Sequence, residues 1–514
     1  MISFKKKLSL IIPYFIFFIA SAFLVLDAGI YRHWTSVLDM DLMLIYNTLT
    51  LRSDMYNEYV DHPGYSTMLA LSLWLDFLNI VGFNNISDLY ELQKHPDLKN
   101  QFQNLFIYSR ILNIFLIFIF ITFIFKILNF INKNKIGNIF LALAFTFSFS
   151  LIEIAGQLRT ELLSCACLFA LFYFLLKFIN NNSKFRFYLF FSGIVFVLGM
   201  FSKMQFFFVV VFFPLILFYF FKPSQNLDLK FYFFENKKII LLSNILFLVV
   251  IILIWERYSQ GFINKLFIPL ILFYFTGVCI FFKSYYSIPF KALNAYLVYF
   301  FGGQGLTMIF FYFYKKFNLW NAIVLVNMPG WLTRYVEKKE SIDVFNPNFY
   351  DYVVLFKNHI NKLFIFLNRY FLDFFTFENT ILFAYIFFLF RVLLKNKLSV
   401  NLFIKFFSYL GVFLFISFIF SFRPSPFYLI FITPLLLIGL ILAVSSEAYF
   451  NVKKNYIWFS FFILFFSLIN FNDRKVYKTD DWNYGCKDPI SWSRVWLTKM
   501  NPDTYEKLCS FKVN

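Results

Sequence analysis

Glycine, charge and nucleotide-binding motifs are what this 514-residue chain has least of. Gly occupies only 16 positions and Pro 14, against an average glycine share of about 7%. No internal repeat is visible. That counts against a secondary transporter assembled from repeated spans interrupted by Gly and Pro. Neither Gly-x-x-x-x-Gly-Lys-Ser/Thr nor Gly-x-Gly-x-x-Gly occurs, so no nucleotide cradle is present. "FGGQGL" (301–306) lies inside an apolar run and reads as a packing or kink point. The 5 cysteines include no CxxC pair and no Cys/His spacing suited to zinc. Cys165, Cys167 and Cys279 fall in apolar runs and read as packing residues.

Apolar residues fill the space these absences leave. The chain is 60% hydrophobic and 25% aromatic, with 85 Phe. No soluble domain can hide that much apolar surface, and runs of this kind broken by short basic clusters read as an all-α polytopic membrane protein. The expected spans are 8–26, 105–126, 137–153, 161–180, 187–201, 206–221, 238–255, 265–282, 291–313, 380–394, 401–420, 427–446 and 456–470, about 13 in all. A net charge of +19 would suit nucleic acid. The cations lie between apolar runs, however, so no nucleic-acid partner is expected. With the N-terminus inside, the cytoplasmic connections hold 20 Lys or Arg and the four short outer ones hold 5. That asymmetry sets the orientation. It predicts a bacterial inner-membrane protein with a cytoplasmic N-terminus and a periplasmic C-terminus.

Residues 66–83 are apolar but include Asp76 and lack basic anchors, and they read as a helix at the outer interface. The N-terminal stretch, with "KKK" and Ala20-Ser21-Ala22, has features of a signal peptide. Its apolar run continues to Leu26, long enough to anchor. Residues 1–470 then form the membrane domain, with large outer loops at 27–104 and 314–379 and a small outer tail at 471–514. Within 314–379, "YDYVVLFKNHINKLFIFLNRYFLDFF" carries Lys357, Lys362 and Arg369 and suits an amphipathic helix along the outer leaflet. His33, His95 and His359 match nothing and are expected at the surface. In the tail, Cys486 and Cys509 would share an oxidising compartment and are expected to form a disulfide worth about 3 kcal/mol on chain-entropy grounds.

The first outer loop concentrates acid. Asp39, Asp41, Asp54, Glu58 and Asp61 lie within "DMDLMLIYNTLTLRSDMYNEYVDHPGY" (39–65). Leu42, Met43, Leu44, Ile45, Leu49 and Leu51 between them suggest short helices hugging the membrane rather than an open loop. From the residues alone, a solvated turn-rich loop and a site are equally open.

An acidic pair soon after the first span, followed by Asp61-His62-Pro63-Gly64, resembles the first periplasmic loop of GT-C membrane glycosyltransferases. The likeness is to the protein O-mannosyltransferase-like family (glycosyltransferase family 39) and its bacterial relatives. "GQLRTELLS" (156–164) resembles that family's Arg-x-Asp element, with Glu161 for the usual Asp. "LGMFSKMQF" (198–206) resembles its span ending in Thr/Ser-Lys, and "FRPSPFYLIFITPLL" (422–436) its late Arg…Tyr…Pro stretch. The pair here is Asp39-Met40-Asp41 rather than Asp-Glu, so which Asp aligns is open, and Gly64 replaces one Pro. The useful motifs cover roughly residues 8 to 220.

The resemblance implies inverting transfer of a sugar from a polyprenyl-phosphate carrier to a lipid, polysaccharide or protein acceptor outside the membrane. Asp39 or Asp41 would accept the acceptor's proton. His62, Arg159, Lys203 and Arg423 would hold the departing lipid phosphate. Asp61 would orient His62 or join the pair around a divalent cation, an open point because relatives differ in metal use. Arg159 and Glu161 could equally pair with each other, and Lys203 and Arg423 could be interface anchors. An O-antigen ligase or polymerase, with its chemistry in 314–379 around Arg334 and His359, is the alternative.

Overall fold

The computed structural model describes residues 4–28, 30, 40–53, 64–180, 185–203, 205–210, 212–213, 216, 290–315, 349–372, 376–395, 400–421, 426–446 and 452–473. Among these, every regular element is helical. The first ten helices are α1 (Phe4–Asp27), α2 (Met40–Arg52), α3 (Tyr65–Ile80), α4 (Leu89–Lys94), α5 (Leu98–Ile131), α6 (Lys135–Thr146), α7 (Phe149–Ala155), α8 (Thr160–Asn180), α9 (Phe185–Ser202) and α10 (Gln205–Val210). Then come α11 (Phe290–Lys315), α12 (Phe349–Phe371), α13 (Phe377–Lys395), α14 (Val400–Phe420), α15 (Leu429–Ser446) and α16 (Lys453–Asp473).

Among the described residues, three helical segments are long and apolar enough to cross a membrane: Asn100–Ile131, Thr160–Phe178 and Pro426–Ser446. Expected spans 238–255 and 265–282, and half of 206–221, lie outside the described residues. One expected span is bent, and its two helices together remain long and apolar enough for one broken span. Residues 137–153 do not form a single helix but two, α6 and α7, meeting at 54°. Ser148 causes the break: its hydroxyl accepts from the Leu151 N–H and starts a new helix there.

Local signals place the other ends. The Asp97 carboxylate accepts from the Asn100 N–H at the start of α5. The Asn134 side chain does the same for Gly137 at the start of α6. At 34 residues α5 runs about 51 Å, well beyond a hydrocarbon core of about 30 Å. It packs against α1, α6 and α8, while α8 packs against α9 and α9 against α11. In the last pair the backbones meet at glycine. A Cβ on Gly193 would strike the Phe300 carbonyl, and one on Gly303 would strike that of Phe190. The stretch 301–306 is therefore a packing point, as its sequence suggests. Cys165 and Cys167 are free and buried.

Of residues 66–83, those up to Ile80 are helical, in α3. Tyr65, Met68, Leu71 and Leu75 are buried, while Leu73, Phe77 and Ile80 are exposed. Asp76, the acid that argues against a span here, pairs with Arg52 at 2.7 Å. α12 is the amphipathic helix expected in the second large loop, and it packs against α13 and α14. His359 on it is not a surface residue. It is buried, its Nε2 lies 2.7 Å from the Phe418 carbonyl oxygen, and burial pushes its pKa down to about 4.

Candidate active site

Asp41 sits in the first turn of α2 with no solvent exposure. Met43 to Leu51 are buried along the same helix, so α2 is enclosed by protein rather than laid on a surface. A carboxylate there requires compensation, and it receives two donors. The Arg110 Nε donates to Oδ2 at 2.7 Å, and the Leu158 backbone N–H donates to Oδ1. Burial holds the Asp41 pKa above its usual range, with Arg110 and the Leu158 N–H pulling against that rise. Arg110 also donates from Nη1 to the Ile30 carbonyl at 3.1 Å, tying the end of the first span to α5.

Arg110 is the residue that sequence reasoning missed. Its signal was a lone cation inside the expected span 105–126, where an ionisable group is costly without a partner.

The Leu158 N–H belongs to the short connection between α7 and α8, and several contacts fix that connection. Asn113 on α5 donates from Nδ2 to the Ala155 and Gln157 carbonyls at 3.1 and 2.6 Å. Gly156 lies so close to the Ala28 carbonyl that a Cβ there would collide with it. The start of α7 is held by the buried Glu378 carboxylate, which accepts from the Phe149 and Ser150 N–H groups at 3.3 and 3.0 Å.

The residues following Leu158 make a second charged cluster. Glu161 accepts from Lys203 Nζ at 3.0 Å and from Arg159 Nε at 3.4 Å, and all three are nearly or fully buried. Among the described residues, two cations here face one carboxylate. The Arg159 guanidinium lies 3.4 Å from the centroid of the Phe427 ring. The Ser164 hydroxyl donates to the Gly199 carbonyl at 3.3 Å, holding α8 against the end of α9 that carries Lys203. Gln205 donates to the Tyr428 hydroxyl at 3.3 Å. A Cβ on Gly64 would contact the Thr160 methyl and the Leu44 side chain, so Gly64 also adjoins this cluster.

Asp41, Arg159, Glu161 and Lys203 are thus gathered at one end of the long helices, linked through consecutive backbone at 158–161. Asp39, Asp61, His62 and Arg423 lie outside the described residues, as do Arg334, Cys279, Cys486 and Cys509. No known family, curated protein or solved structure matches the chain. Among the described residues no three metal-ligating side chains converge. The donors of Asp41 do not suit a cation either, because both of its oxygens already face the chain's own N–H groups.

Proposed function

We propose that the chain is an integral membrane glycosyltransferase of about 13 spans, transferring a sugar from a polyprenyl-phosphate donor to an acceptor hydroxyl on the outer face. One observation carries this reading. Three stretches far apart in sequence, at Asp41 and Gly64, at 156–164 and at 198–203, converge on one buried volume, where among the described residues Arg159 and Lys203 share the Glu161 carboxylate. Two buried cations so placed would favour an anionic group, and a departing lipid phosphate is one.

Within this reading the two aspartates separate. Asp41, whose two oxygens already accept from Arg110 and the Leu158 N–H, is fully buried and positions the start of α2. The base is then Asp39, one helical step before α2. It takes the proton of the acceptor hydroxyl as that oxygen attacks the anomeric carbon and the carbon–phosphate-oxygen bond breaks, with inversion. Lys203, Arg159, His62 and Arg423 hold the phosphate as its charge grows. Glu161 orients Lys203 and Arg159. No step is routed through a metal.

Asp39→Asn tests the assignment. Removing the base while keeping the shape should lower transfer by about 10²–10⁴-fold with normal yield and thermal stability. Normal transfer by this variant would remove the base from Asp39. Buried His359 makes the alternative, with chemistry in 314–379, a weaker fit, because its ring is already engaged by the Phe418 carbonyl.

A further inference from the structure

A cleft of about 640 Å³ lies between the α5–α6 turn and the start of α16, lined by Asn132, Lys133, Asn134, Lys135, Ser445 and Lys453 among others. It stands at the opposite end of α5 from Arg110. The 21 residues from Arg110 to Ile131 rise about 30 Å, one hydrocarbon thickness. If the charged cluster around Asp41 is at the outer face, this cleft opens at the cytoplasmic one.

The cleft is framed across segments more than 300 residues apart. Asn134 donates from Nδ2 to the Lys453 carbonyl at 2.9 Å, and Asn132 to the Ser445 hydroxyl at 3.2 Å. Behind them, Tyr456 donates its hydroxyl to Asn138 at 2.7 Å, and Asn138 donates to Asn129 at 2.8 Å. Gly137 is packed so tightly on the Tyr456 ring that a Cβ would lie 2.5 Å from it. The polar frame is therefore satisfied internally. Lys133, Lys135 and Lys453 are exposed, and among the described residues none of them forms an ion pair. Beside the lysines the wall is apolar: Ile131 and Ile136 line the cleft, and Trp458, Phe461 and Phe462 are exposed along α16.

We propose that this cleft binds the phosphate head group of an anionic phospholipid of the cytoplasmic leaflet. The three lysines take the phosphate, and the acyl chains lie along α16. Ordinary flanking lysines would give the same charge asymmetry but not a framed cleft with cations on two of its walls. The proposal depends on the apolar helices being spans, and not on glycosyl transfer.

The test uses detergent-solubilised full-length protein and native mass spectrometry, titrating phosphatidylglycerol against phosphatidylcholine. Wild type should retain phosphatidylglycerol preferentially. At about 5-fold per lysine, the triple variant K133Q/K135Q/K453Q should bind it about 100-fold less well, and the matching triple Arg variant should bind it as wild type does. Inorganic phosphate should not displace the lipid. Undiminished binding by the Gln variant would overturn the proposal. So would displacement by inorganic phosphate, which would identify a site for a soluble anion instead.

Discussion

Asp41 and Arg110 form the pair on which the rest of the site is hung. Both are fully buried, so neither can lose its partner cheaply. Arg110→Ala strands the carboxylate and should cost about 3–5 kcal/mol, read as a large fall in thermal stability in detergent. Asp41→Asn should be similarly unstable, and the double variant Asp41→Asn/Arg110→Met should recover part of the loss. An Asp41→Asn protein of wild-type stability that transfers no sugar would return the base role to Asp41. His359 supplies a pH dependence. Its pKa falls from the ordinary 6.5 to about 4 by burial, with nearby Lys362 adding to the fall. The unfolded state therefore takes up the proton first as pH drops. Its contribution to stability is complete above about pH 6.5 and shrinks towards pH 4. A melting series from pH 7 to pH 5 should show this loss, and His359→Gln should flatten it. Equal slopes for the two proteins would refute the burial argument.

At the scale of elements, the connection from α7 to α8 is the critical piece. It presents the Leu158 N–H to Asp41 and carries Arg159 and Glu161, and it is fixed by Asn113, by Glu378 at the start of α7 and by the contact of Gly156 with Ala28. Gly156→Ala inserts a methyl against a backbone carbonyl. It should cost about 1–3 kcal/mol and lower transfer further by shifting Leu158, measured as melting temperature and activity together. Unchanged values would mean that the connection is free to move. Little of this was legible in sequence. "GQLRTELLS" pointed to Arg159 and Glu161, and "SKMQ" to Lys203, because charges beside apolar runs stand out. The break at Ser148 was hidden because 137–153 is mostly apolar, and a helix cap is a weak signal within such a run. Arg110 and Glu378 were missed for a related reason: hydropathy locates a span but does not say which neighbour a charge within it will meet.

At the scale of the molecule, hydropathy was the strongest guide. The helical ends of α1, α9, α11, α13, α14, α15 and α16 fall within a few residues of the expected apolar runs, because a long apolar run bounded by polar residues locates a helix whichever of its faces is buried. Which segments converge was not readable from length, and came only from their packing. On that convergence rests the proposal of a lipid-linked sugar donor, which can be sought directly. Mass spectrometry of lipids extracted from the purified protein, with Lys203→Ala alongside, tests it. Lys203→Ala leaves Glu161 paired with Arg159 and should fold. The account predicts a polyprenyl-phosphate-linked sugar on the wild-type protein, depleted at least 10-fold on the variant. Phospholipid alone on both proteins, with no polyprenyl species, would contradict it.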